Sequence, residues 1–328
     1  AEQTAACLQA GLHVYCEKEM SNTLEGAKKM VEAQKASGKL LQIGHQRRSN
    51  PRYRHCYDKI INEAGLLGRI TTINGQWNRS KESCEDLAWP EGTEIDEATL
   101  NKYGYKDMKQ FRNWRWYKGL GGGPIVDLGS HQIDIYSWFL GCNPKSIIAS
   151  GGVDYWKGHE WYDNVMAIYE YETKNGTVRA FYQTLTTNSA NGYFETFMGD
   201  EGTLMISEAS SRGSIYREGW VDEAKWDPWV AKGYIEKAQS VKAADDKNED
   251  AVLDVRESVP AAEYKLPIGF TDPYHQPHLF NFFNSIRGTE KLNCPAEIGY
   301  ETAATVLKVN EAVRQATRLD FKEEEFHI

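Results

Sequence analysis

The sequence predicts an α/β protein in two parts. The first is part of a doubly wound parallel sheet, and the second is a larger α/β domain with a mostly antiparallel open sheet. Two observations predict this: a helical pattern lies between two short apolar segments near the amino terminus, and several strand-like segments follow a central helix. The length of 328 residues suggests about two domains.

Composition and charge narrow the possible functions. Hydrophobic residues make up 41% and charged residues 26%, as in ordinary globular proteins. No apolar run reaches the ~18 residues of a membrane span. The net charge of −9 argues against a nucleic-acid-binding protein, so we expect neither a nucleic-acid nor a membrane partner. Scattered cysteines and histidines without ligand spacing predict no metal site.

The first elements form a βαβ unit. The predicted order is a helix over residues 1–10, a strand over 12–16, a helix over 24–37 and a strand over 39–44. Ser21 or Asn22 is the expected cap of the second helix, and Gly38 is its expected end. Because βαβ connections are right-handed, the two strands should be parallel neighbours.

Open parallel sheets bind ligands beyond the carboxyl ends of their strands. Glu17 and Lys18 follow the first strand, and residues 45–48 follow the second. No G-x-G-x-x-G fingerprint follows any strand. Either the chain enters this domain midway, or the sheet interpretation is wrong. We place the domain boundary after residue 48, giving domains 1–48 and 49–328.

The second domain is predicted to alternate helices and strands around a long excursion. Helices are expected over residues 51–64, 124–140, 272–288 and 296–316, and strands over 69–77, 145–153, 164–172, 177–187, 194–197 and 203–206. Residues 78–113 should form an excursion or a lid. Asn175-Gly176 predicts a hairpin turn, and residues 222–265 should form a surface insertion.

The helix predicted over residues 124–140 carries the candidate chemistry. Asp127 and His131 are four residues apart, so they should share one helix face, and Gly129 should leave room for a backbone or a ligand. The pair could act in acid/base catalysis. However, an acidic residue in a first turn is stabilised by the helix dipole without any catalytic role, and a histidine there is often a core residue.

The ordered set of motifs resembles the Gfo/Idh/MocA family of NAD(P)-dependent oxidoreductases. The set comprises Glu17-Lys18, the Gly-His-Gln-Arg-Arg turn, and Gly-Gly-Gly-x-x-x-Asp-x-Gly-x-His-x-x-Asp. The resemblance implies a Rossmann domain of which this chain lacks the first half. It also implies a carboxyl-terminal domain whose open sheet forms a homo-oligomer. The implied location is cytoplasmic, with an exported form left open.

The resemblance also implies roles for individual residues. Lys18 matches the lysine of the family's Glu-Lys-Pro motif, and His131 matches the general acid/base. Asp127 would orient the site or hold the imidazolium. Glu19 stands where the motif has proline, often preceded by a cis peptide.

Binding residues are predicted less directly. The resemblance implies NAD or NADP as the cofactor, with Glu17, Lys18 and Gln46 as contacts. Arg47 is either a cofactor contact or a surface charge. Substrate-side candidates are Arg115, Tyr117 and Lys118, and the alternative for them is a solvated loop.

The leading functional hypothesis is a dehydrogenase acting on a secondary hydroxyl of a sugar, cyclitol or glycoside. Clustered tryptophans and tyrosines suit carbohydrate faces, although they serve equally well in cores and interfaces. An alternative is a glycosidase that uses bound NAD for transient oxidation. A third possibility, of another class, is a non-catalytic sugar-binding or assembly subunit.

Overall fold

The computed structural model describes residues 1–84, 86–209, 211–238 and 261–328. The helices are α1 Glu2–Gln9, α2 Leu24–Ser37, α3 Pro51–His55, α4 Glu97–Lys102, α5 Met108–Arg112, α6 Pro124–Asp127, α7 Gly129–Leu140, α8 Asp227–Ala231, α9 Gln276–Ile286 and α10 Ala296–Gln315. The strands are β1 Val14–Cys16, β2 Leu41–Ile43, β3 Ile70–Asn78, β4 Ser146–Gly152, β5 Asn164–Thr173, β6 Gly176–Leu185, β7 Tyr193–Gly199, β8 Gly202–Ile206, β9 Gly213–Arg217, β10 Glu236–Lys237, β11 Ala262–Lys265 and β12 Leu319–Asp320.

The βαβ unit forms as predicted. β1 and β2 pair in parallel, with Val14 opposite Leu41, and α2 connects them. The expected cap of α2 was wrong: the side chain of Thr23, rather than of Ser21 or Asn22, accepts a hydrogen bond from the Gly26 amide. Thr23 is directly before the first helical residue, where a cap must stand to reach that amide.

The second sheet contains ten of the described strands in the order β10-β11-β9-β8-β7-β3-β6-β5-β4-β12. Every neighbouring pair is antiparallel except β3 and β6, which are parallel. The hairpin predicted at Asn175-Gly176 is confirmed, because Thr173 pairs with Gly176 across the β5–β6 turn. The fold class expected from the sequence is therefore confirmed.

Two predicted helices are less regular than expected. The helix over 51–64 is α-helical only to His55 and continues as a π-helical segment over Cys56–Glu63. The helix over 124–140 is interrupted at Leu128, which separates α6 from α7. Gly129 follows this break, and glycine is a weak helix former because its backbone has the most freedom to lose.

Residues 222–265 are not simply a surface insertion. Residues 239–260 lie outside the described part of the chain, but the described flanks contribute to the core. Trp226 is 1% exposed, and its ring lies 5.1 Å from that of Tyr264 on β11. An aromatic pair of this kind buries a large apolar area, so these flanks stabilise the edge of the ten-stranded sheet.

The hydrophobic core has two clusters. The larger one fills the space between the ten-stranded sheet and its helices. The smaller one, around α1, α2, β1 and β2, is closed by Ala296, Tyr300 and Ala303 of α10. The boundary after residue 48 stays a prediction, since a helix from the end of the chain completes the first unit's core. No described helix is long and apolar enough to cross a bilayer.

Candidate active site

The end of β1 meets the end of α6 through charged side chains. Lys18 Nζ donates to the backbone oxygen of Asp127 and lies 3.4 Å from Asp127 Oδ1. Arg115 Nε lies 3.2 Å from Asp127 Oδ2. Burial opposes ionisation of this carboxyl group, but the two cations outweigh it and lower the pKa of Asp127. Asp127 is therefore an anion held between two cations.

Two cavities open on either side of this ion triad. We call the first the histidine cavity. It has a volume of about 350 Å³, and its lining includes Lys18, Trp77, Arg79, Arg115, Asp127 and His131. We call the second the glycine cavity. It has a volume of about 510 Å³, and its lining includes Glu17, Lys18, Ser21, Asn22, Arg115, Asp127 and the run Gly121–Gly123. Lys18, Arg115 and Asp127 line both, so the cavities adjoin.

The imidazole of His131 is enclosed, and one of its ring nitrogens has no hydrogen-bond partner in the described part of the chain. Its Nδ1 is enclosed and has no hydrogen-bond partner among the described residues. Its ring lies 5.4 Å from that of Trp77 at an interplanar angle of 35°. Burial, together with the cations of Lys18 and Arg47, lowers the pKa of His131 well below its ordinary value. The ring is thus neutral at pH 7, and the same shift makes it a weaker base than a free imidazole.

Asp127 and His131 do not form the directly coupled pair that one continuous helix would favour. Because of the break at Leu128, Asp127 ends one helix and His131 lies in the first turn of the next. Both side chains still line the histidine cavity. The carboxylate, however, is paired with Lys18 and Arg115, and no hydrogen bond to the imidazole is present in the described residues.

Gly129 does not leave room for a ligand. A Cβ atom there would lie 3.0 Å from Cε1 of Tyr182 and 3.0 Å from Cδ1 of Ile125. The glycine therefore lets α7 pack closely on the ring from β6, which is a packing role rather than a binding role.

The predicted cofactor contacts lie in different places. Glu17 and Lys18 line the glycine cavity. Gln46 Nε2 instead donates to Glu208 Oε1 at 2.9 Å. Arg47 is 1% exposed, and its guanidinium pairs with Glu195 and, at 2.9 Å, with Glu208. Enclosure and these two ion pairs show that Arg47 is not a surface charge and argue against a cofactor contact, although its Nη2 has no partner among the described residues.

The predicted substrate-side residues also separate. Arg115 lines both cavities, whereas Tyr117 and Lys118 line neither. The backbone amide of Lys118 donates to Glu160 Oε2 at 2.7 Å, and its ammonium lies 5.5 Å from the Trp161 ring. These two residues belong to the loop wall rather than to the cavity lining.

Sequence reasoning missed Trp77 and Arg79 at the end of β3, and Arg112 at the end of α5, which all line the histidine cavity. A signal for the first two was present, because both fall at the carboxyl end of a predicted strand. Residues 78–113 were predicted to form an excursion or a lid, and no residue of this stretch was predicted to line the site. In the structure this stretch forms part of the cavity wall through Leu87, Arg112 and Asn113.

Glu19 departs from the family motif but keeps one feature of it, because the Lys18–Glu19 peptide is cis. The Glu19 carboxyl group turns inward, where Oε1 accepts a hydrogen bond from the Met20 amide at 2.8 Å. Oε2 is enclosed without a partner among the described residues. Burial raises the pKa of Glu19 to about 8.

Comparison with known families identifies the family of this chain. Residues 1–45 match the model of the oxidoreductase family with an NAD-binding Rossmann fold. Residues 59–205 match the GFO/IDH/MocA C-terminal domain, and the two matches together cover more than half of the chain. The chain belongs to the GFO/IDH/MocA oxidoreductase family.

Among GFO/IDH/MocA relatives, 1,5-anhydro-D-fructose reductase of Ensifer adhaerens is 29% identical over 62% of this chain and 52% of its own length. The scyllo-inositol 2-dehydrogenase (NADP(+)) IolW of Bacillus subtilis is 32% identical over 45% of this chain and 34% of its own length. The matched region thus spans about half or less of these relatives.

Solved structures show the same fold. Levoglucosan dehydrogenase, in complex with NADH and levoglucosan, superposes with a TM-score of 0.65 at 17% identity. The superposition covers 98% of this chain and 77% of that one. At this level of identity the similarity supports the architecture of a GFO/IDH/MocA protein and no finer conclusion.

The glycine cavity fits the nicotinamide end of the cofactor that such a family binds. Its volume of about 510 Å³ lies within the ~300–1,000 Å³ typical of ligand pockets. Its lining includes three glycines, and Glu17, Ser21 and Asn22 supply carboxylate, hydroxyl and amide groups. These are the donors and acceptors that a carboxamide and ribose hydroxyls require.

Proposed function

We propose that this protein is an NAD(P)-dependent oxidoreductase that transfers a hydride between nicotinamide and a secondary hydroxyl of a sugar, cyclitol or glycoside. The observation that carries the proposal is the shared lining of the histidine cavity by Lys18, Asp127 and His131. The names of the relatives, a sugar reductase and an inositol dehydrogenase, support the same class of substrate.

His131 is the proposed general base. Oxidation of a secondary alcohol requires removal of the hydroxyl proton as the hydride leaves carbon, and a neutral imidazole accepts that proton. The lowered pKa of His131 keeps it in this form at neutral pH. In the reverse reaction the imidazolium would return the proton to the carbonyl oxygen.

Lys18 is the proposed electrostatic group. Its ammonium lies at the junction of the two cavities, where a reacting oxygen would stand between base and cofactor. A cation there stabilises negative charge that develops on that oxygen. Asp127 positions the ammonium, since both its backbone oxygen and its carboxylate contact Lys18 Nζ.

The cofactor would be held in the glycine cavity by Glu17, Lys18, Ser21 and Asn22. When bound, nicotinamide accepts or donates the hydride, and the protein aligns the substrate carbon against it. Both NAD and NADP are included in the proposal, and the relative named for NADP supports keeping both.

A spectrophotometric assay with a histidine variant tests this function. The full chain is given NAD or NADP with a panel of sugars, inositols and glycosides, and formation of reduced nicotinamide is followed. We expect His131→Asn to lower turnover by ~10²–10⁴-fold. Cofactor binding, measured by calorimetry, should stay unchanged because His131 does not line the glycine cavity.

His275→Asn is the matched control, since His275 is exposed outside both cavities. Wild-type turnover in His131→Asn would remove this histidine from the mechanism. Release of an aglycone without net reduced nicotinamide would favour the glycosidase. Sugar binding without any affinity for NAD or NADP would favour the non-catalytic subunit.

We also propose that the protein forms a homo-oligomer through the outer face of the ten-stranded sheet. Ile148 is 50% exposed, Met166 45% and Ile168 42%. Ile148 pairs directly with Ile168, so these side chains form one apolar patch on β4 and β5. Ile168→Lys should dissociate the oligomer in sedimentation velocity, and a wild-type monomer would refute the proposal.

A further inference from the structure

The histidine cavity carries an excess of positive charge. Four cations, Lys18, Arg79, Arg112 and Arg115, line it, with Asp127 as the only carboxylate among its described lining residues. The chain as a whole has a net charge of −9, so this concentration is the opposite of the overall composition. One carboxylate shared by Lys18 and Arg115 leaves the other two cations uncompensated.

Arg79 is the clearest uncompensated charge. Its guanidinium carbon lies 5.6 Å from the centroid of the Trp77 ring, and the residue is half-buried. No carboxylate within ion-pair distance accompanies it in the described residues, whereas Arg217, which is also half-buried, has one. Stacking on an indole orients the fork of nitrogen donors and leaves them free for a planar or tetrahedral anion.

Arg112 lines the same cavity from another element, and the residue as a whole is exposed. Its Nε donates weakly to the Ala88 carbonyl at 3.3 Å, and it too has no carboxylate partner in the described part of the chain. Arg79 follows β3 and Arg112 ends α5, so two independent elements bring cations to one cavity. Such convergence is expected of a binding site, because two cations repel one another unless an anion stands between them.

The surroundings strengthen electrostatic attraction to a ligand. Trp77, Leu87, Trp116 and Leu128 supply apolar lining to the same cavity. Where water is partly excluded, the interaction between a guanidinium and an oxyanion is stronger than on an open surface. The volume of about 350 Å³ is at the lower end of ligand pockets, which suits a single sugar ring.

We propose that the substrate is an anionic sugar, with its carboxylate or phosphate oxygens bound by Arg79 and Arg112. This deepens the proposed function and rests on it, since the sugar's reacting hydroxyl would face Lys18 and His131 in the same cavity. A sugar acid and a sugar phosphate present the same oxyanion chemistry to a guanidinium, and the experiment separates them.

Calorimetry with the full chain tests the inference directly. The probes are D-glucose, D-glucuronate and D-glucose 6-phosphate. We expect at least one anionic sugar to bind ten or more times more tightly than glucose, with an affinity that falls as salt is raised. Whether glucuronate or glucose 6-phosphate binds tighter identifies the anion.

Arg79→Met is the informative variant, because it removes the charge and keeps a long apolar side chain against Trp77. It should weaken binding of the anionic sugar by ~10–100-fold and leave glucose binding unchanged. Arg79→Lys should be intermediate, since it keeps the charge but not the fork. Arg314→Met is the matched control, because Arg314 is exposed at the end of α10.

Equal affinity for glucose and both anionic sugars would overturn the inference, and so would equal weakening of all three by Arg79→Met. Weakened NAD or NADP binding in Arg79→Met, without an effect on anionic sugars, would assign the cations to the cofactor instead.

The outcomes separate this inference from the proposed function. Arg79-dependent binding of an anionic sugar without reduction of NAD or NADP would uphold the anion-binding site and refute hydride transfer from that sugar. Reduction of cofactor by neutral sugars at a rate that Arg79→Met does not change would do the reverse.

Discussion

Two arginines stack on the same indole and have different surroundings. The guanidinium carbon of Arg47 lies 5.7 Å from the Trp77 ring and that of Arg79 lies 5.6 Å from it. Arg47 is enclosed with Glu195 and Glu208, and the Tyr53 hydroxyl donates to Glu195 at 2.8 Å. Arg79 opens on the histidine cavity and has no carboxylate partner among the described residues.

The difference shows how to separate a structural charge from a binding charge. A buried cation without a partner is costly, so the fold surrounds Arg47 with anions and closes over it. A cation at a cavity wall remains hydrated until a ligand arrives, so Arg79 can stay uncompensated. Residue type and aromatic neighbour are the same, and the presence of carboxylates decides the role.

The largest expected effect is a difference in stability between variants of Arg47 and Arg79. Arg47→Met should lower the free energy of unfolding by about 3–5 kcal/mol, because it leaves Glu195 and Glu208 buried without a cation. Arg79→Met should change it by no more than about 0.5 kcal/mol. Urea unfolding followed by fluorescence measures both, and equal destabilisation by the two variants would erase the distinction.

The next largest effect is a loss of turnover when Lys18, a cation that lines the histidine cavity, is replaced. Lys18→Met should reduce turnover by ~10²–10³-fold, because it removes the cation that stabilises developing negative charge. Its effect on the free energy of unfolding should stay small, since Asp127 keeps Arg115 as a partner. Steady-state rates and urea unfolding of the same variant check this. A Lys18→Met variant with a strongly lowered free energy of unfolding but a normal turnover rate would contradict it.

The pH dependence of stability tests a buried group, the imidazole of His45. Burial lowers the pKa of His45 from 6.5 to about 4, and neither ring nitrogen has a partner among the described residues. The unfolded chain binds a proton below pH 6.5 while the folded one does not. The stability contributed by neutral His45 is therefore complete above pH 6.5 and is lost progressively as pH falls towards 4.

His45→Leu should remove that dependence. Between pH 6.5 and 4 we expect wild type to lose stability relative to the variant by roughly 1 kcal/mol per pH unit. Titratable groups that do not interact with His45 are common to both proteins and cancel in the difference, whereas His278 interacts electrostatically with His45. Thermal unfolding of both proteins over the same series of pH values measures this dependence. A stability difference that stays constant with pH would mean that His45 is not held neutral.

The smallest expected effect is that of an arginine in an exposed ion pair, which serves as a reference for the buried Arg47. Arg54 and Asp58 form an exposed pair at 3.3 Å, one helical turn apart. Arg54→Ala should change the free energy of unfolding by about 0.5 kcal/mol or less, because solvent and salt screen such pairs. If Arg54→Ala lowered the free energy of unfolding as much as Arg47→Met does, burial would not explain which arginine contributes more to stability.

Local sequence signals were sufficient for much of the fold. Gly38 and Gly141 end helices in the left-handed conformation, and Asn175-Gly176 turns a hairpin, because each depends on a few adjacent residues. The π-helical segment after His55 and the break at Leu128 were missed. Apolar spacing is nearly the same on either side of such irregularities, so periodicity does not reveal them.

The candidate site was predictable only in part. Motif resemblance indicated Lys18, Asp127 and His131, and the structure brings all three to one cavity, although their catalytic roles stay predictions. Resemblance also suggested Arg47, whose burial depends on Glu195, 148 positions further along the chain. Trp77 and Arg79 fall at the end of a predicted strand, but that signal alone does not distinguish a strand end at a cavity from one at the surface.

The sequence by itself determined which segments are helices and strands, where most of them end, and which chemical groups are available. Those properties follow from backbone preferences and side chains a few residues apart. Only the tertiary structure decided which charges are compensated: it joined Lys18 to Asp127 and Arg47 to Glu195, and left Arg79 facing a cavity. Electrostatic energy depends on distance and burial, and both are set by residues far away in the chain.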